Sequence, residues 1–156
     1  MRILVTGTEG YIGALLAPLL LEAGHEVTGL DTGFYRDGWL YSSPAAMPRL
    51  PGLLARDLRR VTAADLAGFD AVVHLAELYN DPLGETKPEV TFESNHQGSV
   101  HLAQLARAAR VQRSVYTSSC SVYGVGSGDA HLDEPSPVNP QTAYARCKVL
   151  VERDVA

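Results

Sequence analysis

Met1-Arg-Ile-Leu-Val-Thr-Gly-Thr-Glu-Gly-Tyr-Ile-Gly13 is the stretch on which the reading of this chain turns. A short run rich in β-formers leads into a loop holding Gly7, Gly10 and Gly13. An apolar helical pattern, Ala14-Leu-Leu-Ala-Pro-Leu-Leu-Leu-Glu-Ala23, begins at once. A buried strand that delivers a glycine-rich turn to a helix N-terminus is how α/β proteins bind a pyrophosphate. Backbone N–H groups and the helix dipole face the anion, and the glycines let the backbone come close. The spacing is G-x-x-G-x-x-G rather than G-x-G-x-x-G, so an ordinary strand-to-helix turn competes with the anion site, and the rest of the chain decides.

Downstream, Gly24-His25 ends the first helix and Glu26-Val-Thr-Gly-Leu30 alternates as a second strand closing on Asp31. Asp31 lies 18 residues beyond Gly13, near where a dinucleotide fold places an acid on the adenosine ribose 2′-hydroxyl. A carboxylate there repels a 2′-phosphate and so favours NAD over NADP. The competing reading is a strand-end Asp that starts a turn. Residues 32–52 have no period and read as a long loop with a local aromatic cluster. A third strand follows at Gly52–Ala55, and Thr62-Ala-Ala-Asp65 has the form of a helix N-cap and first turn. Asp70–Ala76 is a continuous apolar run, expected of a parallel strand covered on both faces. Glu77–Pro88 reads as a polar loop, Glu89–Arg110 as a helix interrupted at Gly98-Ser99, and Val111–Ser118 as a fifth strand. A loop over Val125–Gln141 precedes a last helix, Thr142–Ala156. Strand and helix alternate throughout, which predicts a doubly wound α/β fold with a parallel sheet and right-handed crossovers.

The totals exclude several classes. A net charge of −5, with no Lys/Arg block, argues against a nucleic-acid partner or an anionic membrane surface. Leu15–Leu21 contains Pro18 and is followed by Glu22, so it reads as neither a signal segment nor a membrane span. Cys120 and Cys147, the only cysteines, form no C-x-x-C pair; a reduced, cytoplasmic protein fits, and no metal-ligating set is visible.

Thr117-Ser-Ser-Cys-Ser-Val-Tyr-Gly124 followed by Tyr144-Ala-Arg-Cys-Lys148 carries the chemistry. Tyr144 and Lys148 are four apart on one helical face. A free phenol titrates near 10 and is a poor base at neutral pH. A neighbouring ammonium favours the phenolate and makes proton exchange with a substrate hydroxyl feasible. A serine at the end of the preceding strand could hold the same oxygen. Alone, Y-x-x-x-K usually marks a solvated helix face; the glycine loop, Asp31 and S-S-x-x-V-Y-G in this order make chance a poor explanation.

Together these motifs resemble the extended short-chain dehydrogenases/reductases, specifically the NAD-dependent epimerase/dehydratase family that acts on nucleotide sugars. The resemblance implies a Rossmann-type sheet of about five strands ordered 3-2-1-4-5, with NAD as cofactor. It assigns the pyrophosphate to Gly7, Gly10, Tyr11, Ile12 and Gly13, the ribose to Asp31, and the adenine to Asp57 and Leu58. Leu75 and Ala76, in the His74-Leu-Ala76 motif, fall beside the cofactor, as do Thr117 and Asn95 of the N-x-x-G-[ST] motif. Ser119, Tyr144 and Lys148 match the catalytic serine, tyrosine and lysine, with Tyr144 and Lys148 also touching the cofactor. It further implies a nucleotide-sugar substrate and a homodimer built on helices 89–110 and 142–156.

Three departures qualify the match. Glu77 stands where the family commonly has a small residue, and is expected to turn outward. Cys120-Ser121 offers no Asp-Glu pair, which disfavours elimination across C5–C6. The cysteine of C3/C5 epimerases is replaced by Ser121, with Cys120 expected to point inward. C4 or C2 epimerisation, or simple keto-reduction or alcohol oxidation, survives. On this reading residues 1–156 form one NAD-binding domain without the family's C-terminal substrate domain. A non-catalytic dinucleotide-binding or scaffold fragment is the alternative. Tyr79, Asn80 and the 125–141 loop are either substrate neighbours or loop packing.

Overall fold

The structure, a computed structural model, describes residues 1–36, 49–79, 81–125 and 131–156. Most of the aromatic loop, Asn80 and the tip of the 125–141 loop therefore lie outside the described residues. Two compact units emerge, one of Met1–Ala76 with His101–Thr117 and one of Glu77–Val100 with Ser118–Ala156.

The first unit is built on five parallel strands: β1 (Arg2–Thr6), β2 (Glu26–Asp31), β3 (Gly52–Ala55), β4 (Ala71–His74) and β5 (Arg113–Tyr116), in the order β3-β2-β1-β4-β5. That is the expected topology. β1 lies centrally, with Leu4 opposite Thr28 of β2 and Val72 of β4. Alternate side chains of a strand point to opposite faces, so β1 feeds two cores. Leu4 joins Leu30, Leu58, Leu66, Val72, Leu102 and Ala106, whereas Ile3 and Val5 join Ala17, Val27 and Ala71. β5 is shorter than the Val111–Ser118 run suggests. It is the outer strand, and Arg113, Ser114 and Val115 are exposed, which accounts for polar residues within it. Helix α1 (Gly13–Glu22) continues through Pro18, which has no N–H to give the Ala14 carbonyl. The Thr62–Asp65 signal produces only a 3-10 turn, Ala63–Leu66. There the Asp65 carboxylate accepts from the Thr62 N–H at 2.8 Å and its hydroxyl at 2.7 Å, which holds this carboxyl below its ordinary range.

In the second unit, the expected loop over Glu77–Pro88 contains a short helix, α2 (Asp81–Thr86). Beyond it come α3 (Pro88–Thr91), a π-helical turn (Phe92–Gln97) and the start of α4 (Gly98–Ala108). Gly98-Ser99 does not interrupt this helix, contrary to expectation. The irregularity lies one turn earlier, where the fully buried Asn95 sends its side chain out to main chain rather than solvent. Ser99 then follows helically, its hydroxyl donating back to the Asn95 carbonyl. Helix α5 (Ala143–Val155) starts as predicted, with the Thr142 hydroxyl accepting from the Ala145 N–H at 3.1 Å. Among the described residues, no helix is long and apolar enough to cross a membrane.

Candidate functional site

In the first unit the glycine loop folds back on itself. Gly7 has φ +76° and donates its N–H to the Leu30 carbonyl at 2.8 Å. A β-carbon there would lie 2.9 Å from the Ala76 nitrogen, so both the torsion and the space require glycine. At Gly13 the constraint is space alone, because a β-carbon would come within 2.0 Å of the Gly7 carbonyl oxygen. Helix α1 starts at Gly13 with no side-chain cap and no acid in its first turn, while Tyr11 and Ile12 are exposed beside it. The residues present fit a bound pyrophosphate: a bare backbone cradle opening onto a helix N-terminus.

Asp31 sits at the end of β2 as expected. Its carboxylate accepts from the Glu9 N–H at 2.9 Å and the Gly33 N–H at 2.8 Å, which ties the glycine loop to the strand. Asp57 caps a 3-10 turn (Leu58–Arg60), accepting from the Arg59 N–H at 2.9 Å and its guanidinium at 2.7 Å. That guanidinium holds the Asp57 carboxyl below its usual range. The Leu58 side chain is spent in the core, which leaves its main chain as the part that can meet a ligand. The sequence reading missed Thr6. Its hydroxyl meets His74 Nδ1 at 2.7 Å and accepts from the Leu75 and Ala76 N–H groups at 3.1 Å each, fixing the chain where β4 ends. A Thr immediately before the first glycine was the available signal. The Thr117 N–H donates to the His74 carbonyl at 3.3 Å, extending the same strand-end alignment.

In the second unit Tyr144 and Lys148 come together as their spacing predicts, with Lys148 Nζ 5.3 Å from the Tyr144 ring centre. Ser119 caps a 3-10 turn (Cys120–Tyr123), its oxygen accepting from the Ser121 N–H at 3.2 Å and lying 2.9 Å from the Ser121 hydroxyl. Asn95 holds the chain after β4 on both sides. Its amide oxygen accepts from the Leu78 N–H and its NH2 donates to the Leu78 carbonyl, each at 2.8 Å.

Two expectations are overturned here. Glu77 does not turn outward; its carboxylate lies 2.6 Å from Lys148 Nζ, and the two side chains are 5% and 4% exposed. An ammonium that deep needs a counter-charge, and the carboxylate after β4 supplies it. Cys120 is exposed rather than inward, while the buried cysteine is Cys147. Burial, then the Glu77 charge, pushes the Cys147 thiol up to about 11.

What the first unit defines is a class, the Rossmann-type dinucleotide-binding folds. Residues 3–156 match the NAD dependent epimerase/dehydratase family, and the chain belongs to that family. It is 32% identical over 155 residues to a UDP-glucose 4-epimerase of Streptomyces lividans, covering 97% of this chain and 45% of the relative. It is also 33% identical over 164 residues to a 3-beta-hydroxysteroid dehydrogenase of Mycolicibacterium neoaurum, covering 99% and 42%. Among solved structures, the UDP-glucose-4-epimerase from Stenotrophomonas maltophila with bound NAD and formylated UDP-arabinopyranose has a TM-score of 0.83 at 31% identity, over 98% of this chain and 47% of that one. The NAD dependent NDP-hexosamine 5,6-dehydratase TunA has a TM-score of 0.84 at 30% identity, over 99% and 48%. The chain thus spans about half the length of these relatives.

Proposed function

We propose that the chain works as, or within, an NAD-dependent epimerase or oxidoreductase of nucleotide sugars. The observation that carries this reading is the Tyr144–Lys148 pair, a phenol and an ammonium one helical turn apart in a chain whose other unit offers a glycine cradle. Bound NAD supplies the acceptor and donor of a hydride. Gly7, Gly10, Tyr11, Ile12 and Gly13 would hold its pyrophosphate, Asp31 its ribose, and Asp57 with the Leu58 main chain its adenine. Leu75, Ala76, Asn95 and Thr117 would order the nicotinamide end.

The side chains then have distinct tasks. The Tyr144 phenolic oxygen takes a proton from the substrate hydroxyl and returns it. The Lys148 ammonium stabilises the phenolate, and the Ser119 hydroxyl holds the same substrate oxygen. Cys120 and Ser121 bring no carboxyl group, which supports proton and hydride exchange at one carbon over elimination. The match to UDP-glucose 4-epimerases supports a sugar nucleotide as the alcohol. A net charge of −5 supports a protein that avoids nucleic acid and anionic membranes, and a cytoplasmic setting suits its two unlinked cysteines. We also assign homodimerisation to helices 89–110 and 142–156; sedimentation as a monomer at micromolar concentration would refute it.

One observation favours a second reading. The Glu77 carboxylate opposes part of the Lys148 field that a tyrosinate needs, as in a non-catalytic dinucleotide-binding or scaffold module. The deciding experiment supplies NAD with UDP-glucose and other sugar nucleotides, and a 3β-hydroxysteroid for comparison. Epimer and NADH are followed for the wild type and Tyr144→Phe. Turnover with a sugar nucleotide that falls at least about 100-fold in Tyr144→Phe supports the enzyme reading. NAD binding with no turnover of any sugar nucleotide overturns it.

A further inference from the structure

The glycine loop carries a charge that a pyrophosphate site does not need. Glu9 lies between Gly7 and Gly10, and its side chain is 7% exposed. It is ion-paired with Arg36, whose Nε donates to Glu9 Oε1 at 2.7 Å. Arg36 belongs to the turn that leaves β2, where its N–H donates to the Gly33 carbonyl at 3.2 Å. The Gly33 N–H in turn holds Asp31, and so does the Glu9 N–H. One knot therefore ties together the ribose acid, a second carboxylate and a guanidinium that is 56% exposed.

We propose that Glu9 is a positioning residue that sets the preference for NAD over NADP by withholding Arg36 from the 2′-phosphate. The inference rests on the NAD-binding reading above. A 2′-phosphate would arrive at Asp31, where a 2′-hydroxyl is expected. An arginine just beyond the second strand is the residue type that accommodates such a phosphate, through paired N–H donors. In this chain that arginine is committed to Glu9, one peptide hydrogen bond away from Asp31. The phosphate would meet two carboxylates and a guanidinium already spent on one of them. With NAD the arrangement is favourable, because Arg36 neutralises a carboxylate buried in the loop that receives the pyrophosphate.

The test is calorimetric titration of the full 156-residue chain with NAD and with NADP, for wild type, Glu9→Gln, Arg36→Met and the double variant. Wild type should bind NAD and prefer it to NADP. Glu9→Gln should raise NADP affinity about ten-fold while changing NAD little, since Arg36 is then free to pair with the phosphate. The double variant should lose that gain. Arg36→Met alone should give no gain in NADP share, which keeps the proposal refutable if Glu9→Gln fails to fold. A loop that merely loosens would weaken both nucleotides alike and leave the ratio fixed in every variant. An unchanged ratio in folded Glu9→Gln, a gain that survives loss of Arg36, or a higher NADP share in Arg36→Met would overturn the proposal. Wild type that binds no NAD would instead overturn the cofactor reading on which it stands.

Discussion

Truncating Glu77 to alanine leaves the Lys148 ammonium in the interior without its carboxylate partner. The two groups are 2.6 Å apart and their side chains 5% and 4% exposed, so neither water nor salt screens the pair effectively. Removing one member of a buried pair costs about 3–5 kcal/mol, because the remaining charge keeps its desolvation penalty and loses the attraction that offset it. In a chain of this size each kcal/mol moves the melting temperature by about 2–4 °C, so Glu77→Ala should melt about 6–20 °C below wild type. Replacing both groups with apolar side chains, Glu77→Leu with Lys148→Met, removes both charges and should recover most of the loss. Urea denaturation of wild type, Glu77→Leu, Lys148→Met and the double variant, followed by circular dichroism, gives all four free energies, and constant m-values confirm comparable unfolding. The four corners form a double-mutant cycle whose coupling should be well above the scatter of about 0.5 kcal/mol seen for independent sites. Glu77→Ala within 0.5 kcal/mol of wild type, or a double variant no more stable than the weaker single, would refute the claim that this pair is a buried, mutually dependent unit.

Further outcomes follow from the same geometry. Gly13→Ala drives a β-carbon to 2.0 Å from the Gly7 carbonyl oxygen, so the loop must shift and NAD affinity should drop by more than about ten-fold. Gly52→Ala, whose β-carbon meets nothing within 4 Å, should leave NAD binding unchanged in the same titration. Of the two thiols, Cys120 should react within minutes with a disulfide reagent at pH 8, whereas Cys147 should react only after denaturant is added. The Cys147 thiol is raised from 9.0 to about 11 in the folded chain, so the folded state holds its proton more tightly than the unfolded one. Its contribution to stability is complete below pH 9 and is lost as pH rises through about 11; a stability profile flat across that range in wild type and sloping in Cys147→Ala would contradict it.

The sheet was legible because its signals are local. A five-residue strand running into a glycine, an Asp at the end of the next strand and a largely apolar run at residues 71–76 each state their own conformation, and right-handed crossovers then leave few ways to order them. Tyr144 and Lys148 were legible for the same reason, since four residues on a helix is a distance. The helix over Asp81–Thr86 was hidden by Pro82 and Gly84, which read as loop residues although proline is well tolerated in a first helical turn. The π-turn at Phe92–Gln97 escaped notice because its cause is non-local. Asn95 departs from helical regularity to meet both main-chain groups of Leu78, 17 residues earlier. Thr6 likewise acts on the main chain 69 and 70 residues away.

The charges taught most, because a carboxylate in a loop reads as solvated until its partner is found. Glu9 lies 27 residues from Arg36, and Glu77 lies 71 positions before Lys148. Nothing in the local pattern of either acid announces the cation. Yet each acid is nearly buried and each is paired. A lone carboxylate beside a phosphate-binding loop would oppose the anion. With Arg36 in place Glu9 becomes half of a neutral pair, and the backbone cradle at Gly7 and Gly13 keeps its anion-binding character; within the other unit Lys148 neutralises Glu77 in the same way. A carboxylate is therefore tolerated in each loop only together with its cation, Glu9 with Arg36 and Glu77 with Lys148.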